Sequence, residues 1–169
     1  MKTLTIITGS ADKQIKFFGL SLLQDNQTLQ LECTKTIEQG EDVHCVKFTP
    51  SGNHYVVSLL DNSIRVFYAD SDKLFLTLYG HKLPVLALDV SSDNSLLVSA
   101  SADKNLRIWG MDFGNCHKFI FAHDSPIMCV EFVKNTHYVF SASRDSTIKY
   151  WDADTYELVM VFEQNTSEV

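Results

Sequence analysis

Long apolar runs are missing from this sequence. No stretch approaches 18 apolar residues, which excludes a membrane-spanning helix of ordinary length. The opening MKTLTIITGS carries an early lysine but no 7–15-residue apolar stretch, so it makes a poor secretory signal. Positive charge is also scarce. Fourteen Lys and Arg stand against 21 Asp and Glu, for a net charge of −7 and a pI near 5.2. A broad, charge-driven nucleic-acid footprint is therefore absent from the chain as a whole. Glycine (7) and proline (3) are few, and the hydrophobic fraction of 45% argues against disorder. Cysteine is limited to Cys33, Cys45, Cys116 and Cys129, with no CxxC and no zinc-like grouping with histidine. These read as reduced thiols with packing roles. His44, His54, His117 and His137 read as ordinary loop or strand residues. No cofactor or metal is expected.

What the chain does have is internal repetition. SADKNLRIWG at 101–110 returns as SRDSTIKYWD at 143–152, earlier as SADKQIKFFG at 10–19, and more weakly as LLDNSIRVFY at 59–68. The aspartates in register are Asp12, Asp61, Asp103 and Asp145, at spacings of 49, 42 and 42. Six positions after each comes Phe18, Phe67, Trp109 or Trp151, and four after each comes Lys16, Arg65, Arg107 or Lys149. The upstream half repeats too. His81 and His123 stand 22 before their aspartates, Pro84 and Pro126 three after their histidines, and Gln39 takes the histidine slot of the second unit. Cys45, Ala87 and Cys129 share one slot of small residues, and a disulfide across two repeats is not expected.

Segments such as VHCVKF, HYVVSLL, SIRVFY and KLFLTLY are short and rich in β-branched and aromatic residues. Turn-forming TPSGN, SSDNS and DNS separate them, and no long helical period with caps occurs. Four short strands per unit of about 42 residues predict an all-β chain built of propeller blades.

The units resemble WD repeats. Trp151-Asp152 is the dipeptide itself, and Gly80-His81 is the glycine-histidine signature. The resemblance implies hydrogen-bonded structural tetrads: His81, Ser99 or Ser101, Asp103 and Trp109 in one unit, and His123, Ser141 or Ser143, Asp145 and Trp151 in the next. The physics is sound. A tight turn leaves backbone N–H groups that a carboxylate accepts, and a buried indole N–H wants a partner. The same residue types could be read as a nucleophilic Ser–His–Asp site. However, an active site is normally single, whereas this set recurs and is lost in other copies, so it is assigned to architecture and no enzyme is expected. The basic residue in each unit reads as a strand position whose aliphatic stem covers its neighbour, rather than as an anion-binding stripe.

The chain organises as a partial WD-repeat β-propeller over 1–169, with blades at about 1–37, 43–79, 85–121 and 127–162, and 163–169 starting a next repeat. The first blade opens at its second strand, LTIITGSAD, and closes near LQLECTKTI, with a polar insertion at SLLQDNQT. Asn165 falls in the next histidine slot and Val169 where a next innermost strand would start. Three complete blades and three strands of another are expected, with exposed faces and edges prone to self-association.

Longer runs narrow the resemblance. LYGHKLPV, SLLDNSIRVFYAD and SASADKNLRIWGMDFGNCHKFIFAHD look like the second propeller of the tandem-propeller UTP-B subunits of the small-subunit processome, which is associated with U-three small nucleolar RNA. That resemblance implies non-catalytic scaffolding in pre-rRNA processing. The implied partners are other WD-repeat subunits of UTP-B, with pre-rRNA and U-three snoRNA contacted indirectly, and the implied place is the nucleolus of the nucleus. The alternative is a generic peptide- or protein-binding propeller in another complex. It would use the loops before the innermost strands and the turns after the second strands. Those hold Glu41, Asp42, Lys82, Leu83, Lys104, Asp124, Ser125 and Arg144.

Overall fold

The computed structural model describes residues 4–22 and 29–163. Fifteen strands and no helix occur among the described residues. The first sheet contains β1 (Leu4–Gly9), β2 (Gln14–Leu22) and β3 (Leu29–Glu38). The second contains β4 (Val43–Phe48), β5 (His54–Leu59), β6 (Ile64–Tyr68) and β7 (Leu74–Leu78). The third contains β8 (Val85–Val90), β9 (Leu96–Ser101), β10 (Asn105–Gly110) and β11 (Cys116–Phe121). The fourth contains β12 (Ile127–Phe132), β13 (Tyr138–Ser143), β14 (Ile148–Asp152) and β15 (Glu157–Phe162). Within each sheet the strands pair in sequence order and antiparallel. This is a partial WD-type β-propeller. Of the expected insertion at SLLQDNQT, Ser21 and Leu22 end β2 and 23–28 lie outside the described residues, and of the expected next repeat at 163–169 all but Glu163 lies outside them, Asn165 and Val169 included.

Period-two alternation sends successive side chains to opposite faces of a strand, so an inner strand of a stack must be apolar on both sides. Strand β5 shows this. Tyr55, Val57 and Leu59 pack with Ile15 and Phe17 of the first sheet. Val56 points the other way, to Val85, Leu88, Val90, Leu97 and Trp109 of the third. Val98, Ala100, Leu106 and Ile108 then meet Ile127, Val130, Val139 and Trp151 of the fourth. Each such fully buried aliphatic side chain stabilises the stack by roughly 1.5–3 kcal/mol. Strand β9 is buried along its whole length, whereas β15 is exposed along its whole length.

The repeat extends to the irregularities. A register shift falls just before the repeated aromatic in every sheet, at Phe17/Phe18, Val66/Phe67, Ile108/Trp109 and Tyr150/Trp151. The residue after each repeated aspartate is left-handed: Lys13 (φ 66°), Asn62 (φ 68°), Lys104 (φ 73°) and Ser146 (φ 67°). That conformation lets a two-strand connection reverse tightly, and an adjacent Asp side chain can satisfy the N–H groups it exposes.

Candidate functional site

The repeated aspartate does the same local work in all four sheets. Its Oδ1 accepts the backbone N–H two residues on: Gln14 at 3.1 Å, Ser63 at 2.9 Å, Asn105 at 3.1 Å and Thr147 at 3.0 Å. This is the Asx turn that closes the hairpin.

In the third and fourth sheets the other oxygen reaches further. Asp103 Oδ2 lies 3.0 Å from His81 Nδ1 and accepts the Lys82 N–H at 2.9 Å. His81 Nε2 lies 2.8 Å from Ser99 Oγ, which accepts the Trp109 indole N–H at 2.8 Å. The fourth sheet repeats the set: His123 Nδ1 to Asp145 Oδ2 at 2.9 Å, His123 Nε2 to Ser141 Oγ at 2.8 Å, and Trp151 Nε1 to Ser141 Oγ at 2.9 Å. A neutral imidazole satisfies every member. Nδ1–H donates to the carboxylate, Nε2 accepts the serine O–H, and the serine oxygen accepts the indole N–H. Burial would raise the Asp145 carboxyl, but the Thr147 hydroxyl, the Asp124 N–H and the His123 ring outweigh it and hold it at about 2. Asp103 is likewise held below the ordinary carboxylate range, chiefly by His81 and the Lys82 N–H acting against burial. Burial pushes His123 down, against its contact with Asp145.

Of the paired serines, Ser99 and Ser141 sit in these chains. Ser101 and Ser143 do different work. Ser101 Oγ donates toward the Leu83 and Pro84 carbonyls and accepts the Asp103 N–H. Ser143 does the same with Ser125, Pro126 and Asp145. The order Ser–His–Asp is that of a hydrolase triad, yet Ser99 is 0% and Ser141 1% exposed. Each hydroxyl oxygen already carries an indole N–H, so a substrate carbonyl cannot reach it.

Two of the four basic positions of the repeat point to backbone. Arg107 Nη2 donates to the Gly80 carbonyl at 2.8 Å, and Lys149 Nζ donates to the equivalent Ala122 carbonyl at 2.6 Å. A Cβ on Gly80 (φ 154°) would lie 2.7 Å from Arg107 Nη1, so the glycine of Gly80-His81 admits the guanidinium. Arg65 pairs with Asp61 at 3.4 Å.

Three side chains that carry no repeat signature make contacts between sheets. Buried Asp89 takes Lys47 Nζ at 2.8 Å from the second sheet and the Phe132 N–H at 2.7 Å from the fourth. Asp72 takes Lys35 at 2.7 Å from the first sheet. His137, expected to be an ordinary loop or strand residue, bridges Asp154 at 2.7 Å and Asp93 at 3.1 Å. The bridge spans 44 residues and joins a histidine to an acid of another repeat, a pairing no local spacing announces. An acid in the otherwise apolar VLALDV was the one available signal for Asp89. The packing role expected of the cysteines fits Cys45, whose burial raises its pKa, but Cys33, Cys116 and Cys129 are exposed. Those three lie on outer strands or on an uncovered sheet face, where the strand pattern alone does not tell which side is packed.

The candidate contact residues share one end of the stack, the end that carries the tetrad turns. Glu41 and Asp42 precede β4, Lys82 and Leu83 precede β8, and Asp124 and Ser125 precede β12. Lys104 and Arg144 lie in the turns after β9 and β13. Lys82, Leu83, Lys104, Asp124 and Arg144 are exposed, while Glu41, Asp42 and Ser125 are half-buried. Much of this rim is held by main chain: the Leu60 N–H donates to the Asp42 carbonyl and the Ala122 N–H to the Lys104 carbonyl.

Residues 2–169 match the family described as the WDR3 second beta-propeller domain. The chain belongs to that family. It is 45% identical over 83 residues to human WD repeat-containing protein 3, an alignment covering 47% of this chain and 9% of the relative. It is 43% identical over 93 residues to U3 small nucleolar RNA-associated protein 12 of Saccharomyces cerevisiae, covering 50% and 10%. The aligned part is thus about a tenth of each curated relative. Among solved structures, one titled "Structure of U3-55K" superposes with a TM-score of 0.75 at 22% identity, over 79% of this chain and 42% of the other. At that identity the likeness concerns the fold.

Proposed function

We propose that this chain is a non-catalytic WD-repeat scaffold in small-subunit ribosome biogenesis, acting in pre-rRNA processing within the UTP-B part of the small-subunit processome. The observation that carries this reading is the family match over residues 2–169. The relative named for its association with U3 small nucleolar RNA supports it. The non-catalytic part rests on the tetrads, whose only serine–histidine–aspartate sets are buried among the described residues and bonded to indole. Other WD-repeat subunits are the direct partners, since a net charge of −7 suits protein contacts better than broad phosphate binding. Pre-rRNA and the small nucleolar RNA are then held indirectly, in the nucleolus.

The test is capture of the tagged chain from its own cells at moderate salt, with probes for U3 RNA and for UTP-B subunits. Enrichment of both is expected. If neither comes down with the chain, the processome assignment fails. The rim of Lys82, Leu83, Lys104, Asp124 and Arg144 favours a second reading, a peptide-binding face. Binding of a short peptide by the isolated chain, abolished by changes at that rim, would select it.

A further inference from the structure

The hairpins at the end of the stack away from the tetrads hold a different arrangement. His137, in the β12–β13 hairpin, stands in an open cleft of about 500 Å³ with Ser92, Asp93, Asn135, Thr136 and Asp154. Its Nδ1 is 2.7 Å from Asp154 Oδ1, in the β14–β15 turn of its own sheet. Its Nε2 is 3.1 Å from Asp93 Oδ2, in the β8–β9 hairpin of the third sheet. A neutral imidazole has one N–H and one lone pair, while an ionised carboxylate only accepts. Both contacts are therefore favourable together only for the imidazolium.

We propose that His137 is a pH-operated clamp on the junction between the third and fourth sheets, closed when the ring is protonated and released from Asp93 when it is neutral. The geometry decides which contact is lost. Asp93 also accepts the Ser91 hydroxyl at 2.5 Å, the Ser95 hydroxyl at 2.8 Å and the Ser95 N–H at 3.1 Å, so it remains satisfied without the ring. Asp154 has the shorter contact, so the single proton of the neutral ring stays on Nδ1. The Nε2 lone pair then faces Asp93, and the Ser95 hydroxyl, 3.5 Å away, is placed to turn toward it. The junction retains the Asn135 N–H bond to Ser92 Oγ at 2.9 Å and the Phe132 N–H bond to Asp89 Oδ2 at 2.7 Å but loses the ion pair between His137 and Asp93.

The titratable groups facing the ring are Asp93 from the β8–β9 hairpin, Asp154 from the β14–β15 turn and Asp152 at the end of β14. All three are acidic. The Asp154 contact raises the His137 pKa above the ordinary histidine value, against partial burial, and Asp93 adds to it. A folded pKa raised in this way gives stabilisation that is complete below about 6.5 and disappears as pH rises through the folded value. The device is confined to one junction. The slot of His137 holds Asn53 in the second sheet and Ser95 in the third, and the second and third sheets are tied there by an uncharged bond from the Ser51 N–H to Asn94 Oδ1.

The experiment is a ring-nitrogen NMR titration of the full 169-residue chain, read beside amide exchange at Asn135 and Ser51 corrected for intrinsic pH dependence. His137 should titrate above about 6.5, and Asp93→Asn should lower its midpoint. The neutral ring should carry its proton on Nδ1. Asn135 protection should fall above the midpoint, about tenfold for each unit of pKa elevation, while Ser51 protection holds. In His137→Gln, which keeps a neutral amide at every pH, the two amides should respond alike. A midpoint at or below 6.5, a midpoint unmoved by Asp93→Asn, a neutral ring protonated on Nε2, or parallel behaviour of the two amides in the wild-type chain would each overturn the clamp.

Discussion

The second and third sheets solve one problem in two ways. In the third, the space beneath the turn is filled by His81, Ser99 and Trp109, a polar chain ending on Asp103. In the second, the same slots hold Gln39, Val57 and Phe67. There Val57, Phe67 and Tyr55 make an apolar cluster with Phe17 of the first sheet. Tyr55 stacks on Phe67 at 5.2 Å and meets Phe17 edge-on at 5.4 Å. Asp61 survives because its Oδ1 still closes the turn, while its Oδ2 turns to Arg65 instead of a histidine. The aspartate thus has two separable tasks, one for each oxygen. The turn task is kept in all four sheets and the core task in two. A buried polar network and an apolar cluster of similar volume can be nearly equivalent in stability, provided neither is left half-made.

That separation can be broken most severely at the aspartates themselves. Asp103→Ala removes both tasks and strands His81, and should destabilise the chain by about 3 kcal/mol. Asp61→Ala removes the turn bonds and the partly exposed Arg65 pair but no histidine chain, and should destabilise it by about 1 kcal/mol. Urea denaturation of the two variants measures the difference, and equal losses would show that the histidine chain contributes nothing beyond the turn. Next in size, Ser99→Ala should destabilise by about 2 kcal/mol, because the Trp109 indole N–H and His81 Nε2 are left buried without a partner. Placing the second sheet's residues in the third, as His81→Gln, Ser99→Val and Trp109→Phe together, should be milder than the sum of the single changes. A strictly additive triple change in the same denaturation series would contradict the idea of two self-consistent solutions.

The smallest expected effect comes from comparing the third sheet with the fourth. Thr147 Oγ1 donates to Asp145 Oδ1 at 2.7 Å, but the third sheet has Asn105 in that slot. The Asn105 amide donates to the Asp103 carbonyl, and its buried Oδ1 has no hydrogen-bond partner among the described residues. Asn105→Thr should therefore stabilise the chain by about 1 kcal/mol, visible as a raised denaturation midpoint with an unchanged slope. A loss of stability would mean that Asn105 contributes through packing instead.

These contrasts mark where sequence reading succeeds and where it stops. Asp103, His81 and Trp109 were legible because each recurs at a fixed offset, and a recurring offset survives any ignorance of which way a strand faces. The choice between Ser99 and Ser101 was not legible. Two residues apart on one strand, they share a face, and only depth along β9 decides which meets the imidazole and which meets the preceding loop. Asp89, Asp72 and His137 were not legible either. Each contact crosses between sheets and joins residue types that do not recur, so periodicity, the strongest signal in the chain, does not register them. The four-sheet architecture came through from short β-rich segments and turn clusters, yet which sheet faces are covered depends on neighbours and not on composition.

Asp89 also bears on how the molecule comes apart. In a linear stack whose members touch only adjacent members, unfolding can begin at an end and run inward one unit at a time. Here one carboxylate in the third sheet holds an ammonium from the sheet before it and an amide from the sheet after it. Detaching the fourth sheet removes a donor from the group that also anchors Lys47, so the loss is felt two sheets away. The inner strands are in this respect a single cooperative unit, and the stack should melt with fewer separable steps than its count of sheets suggests.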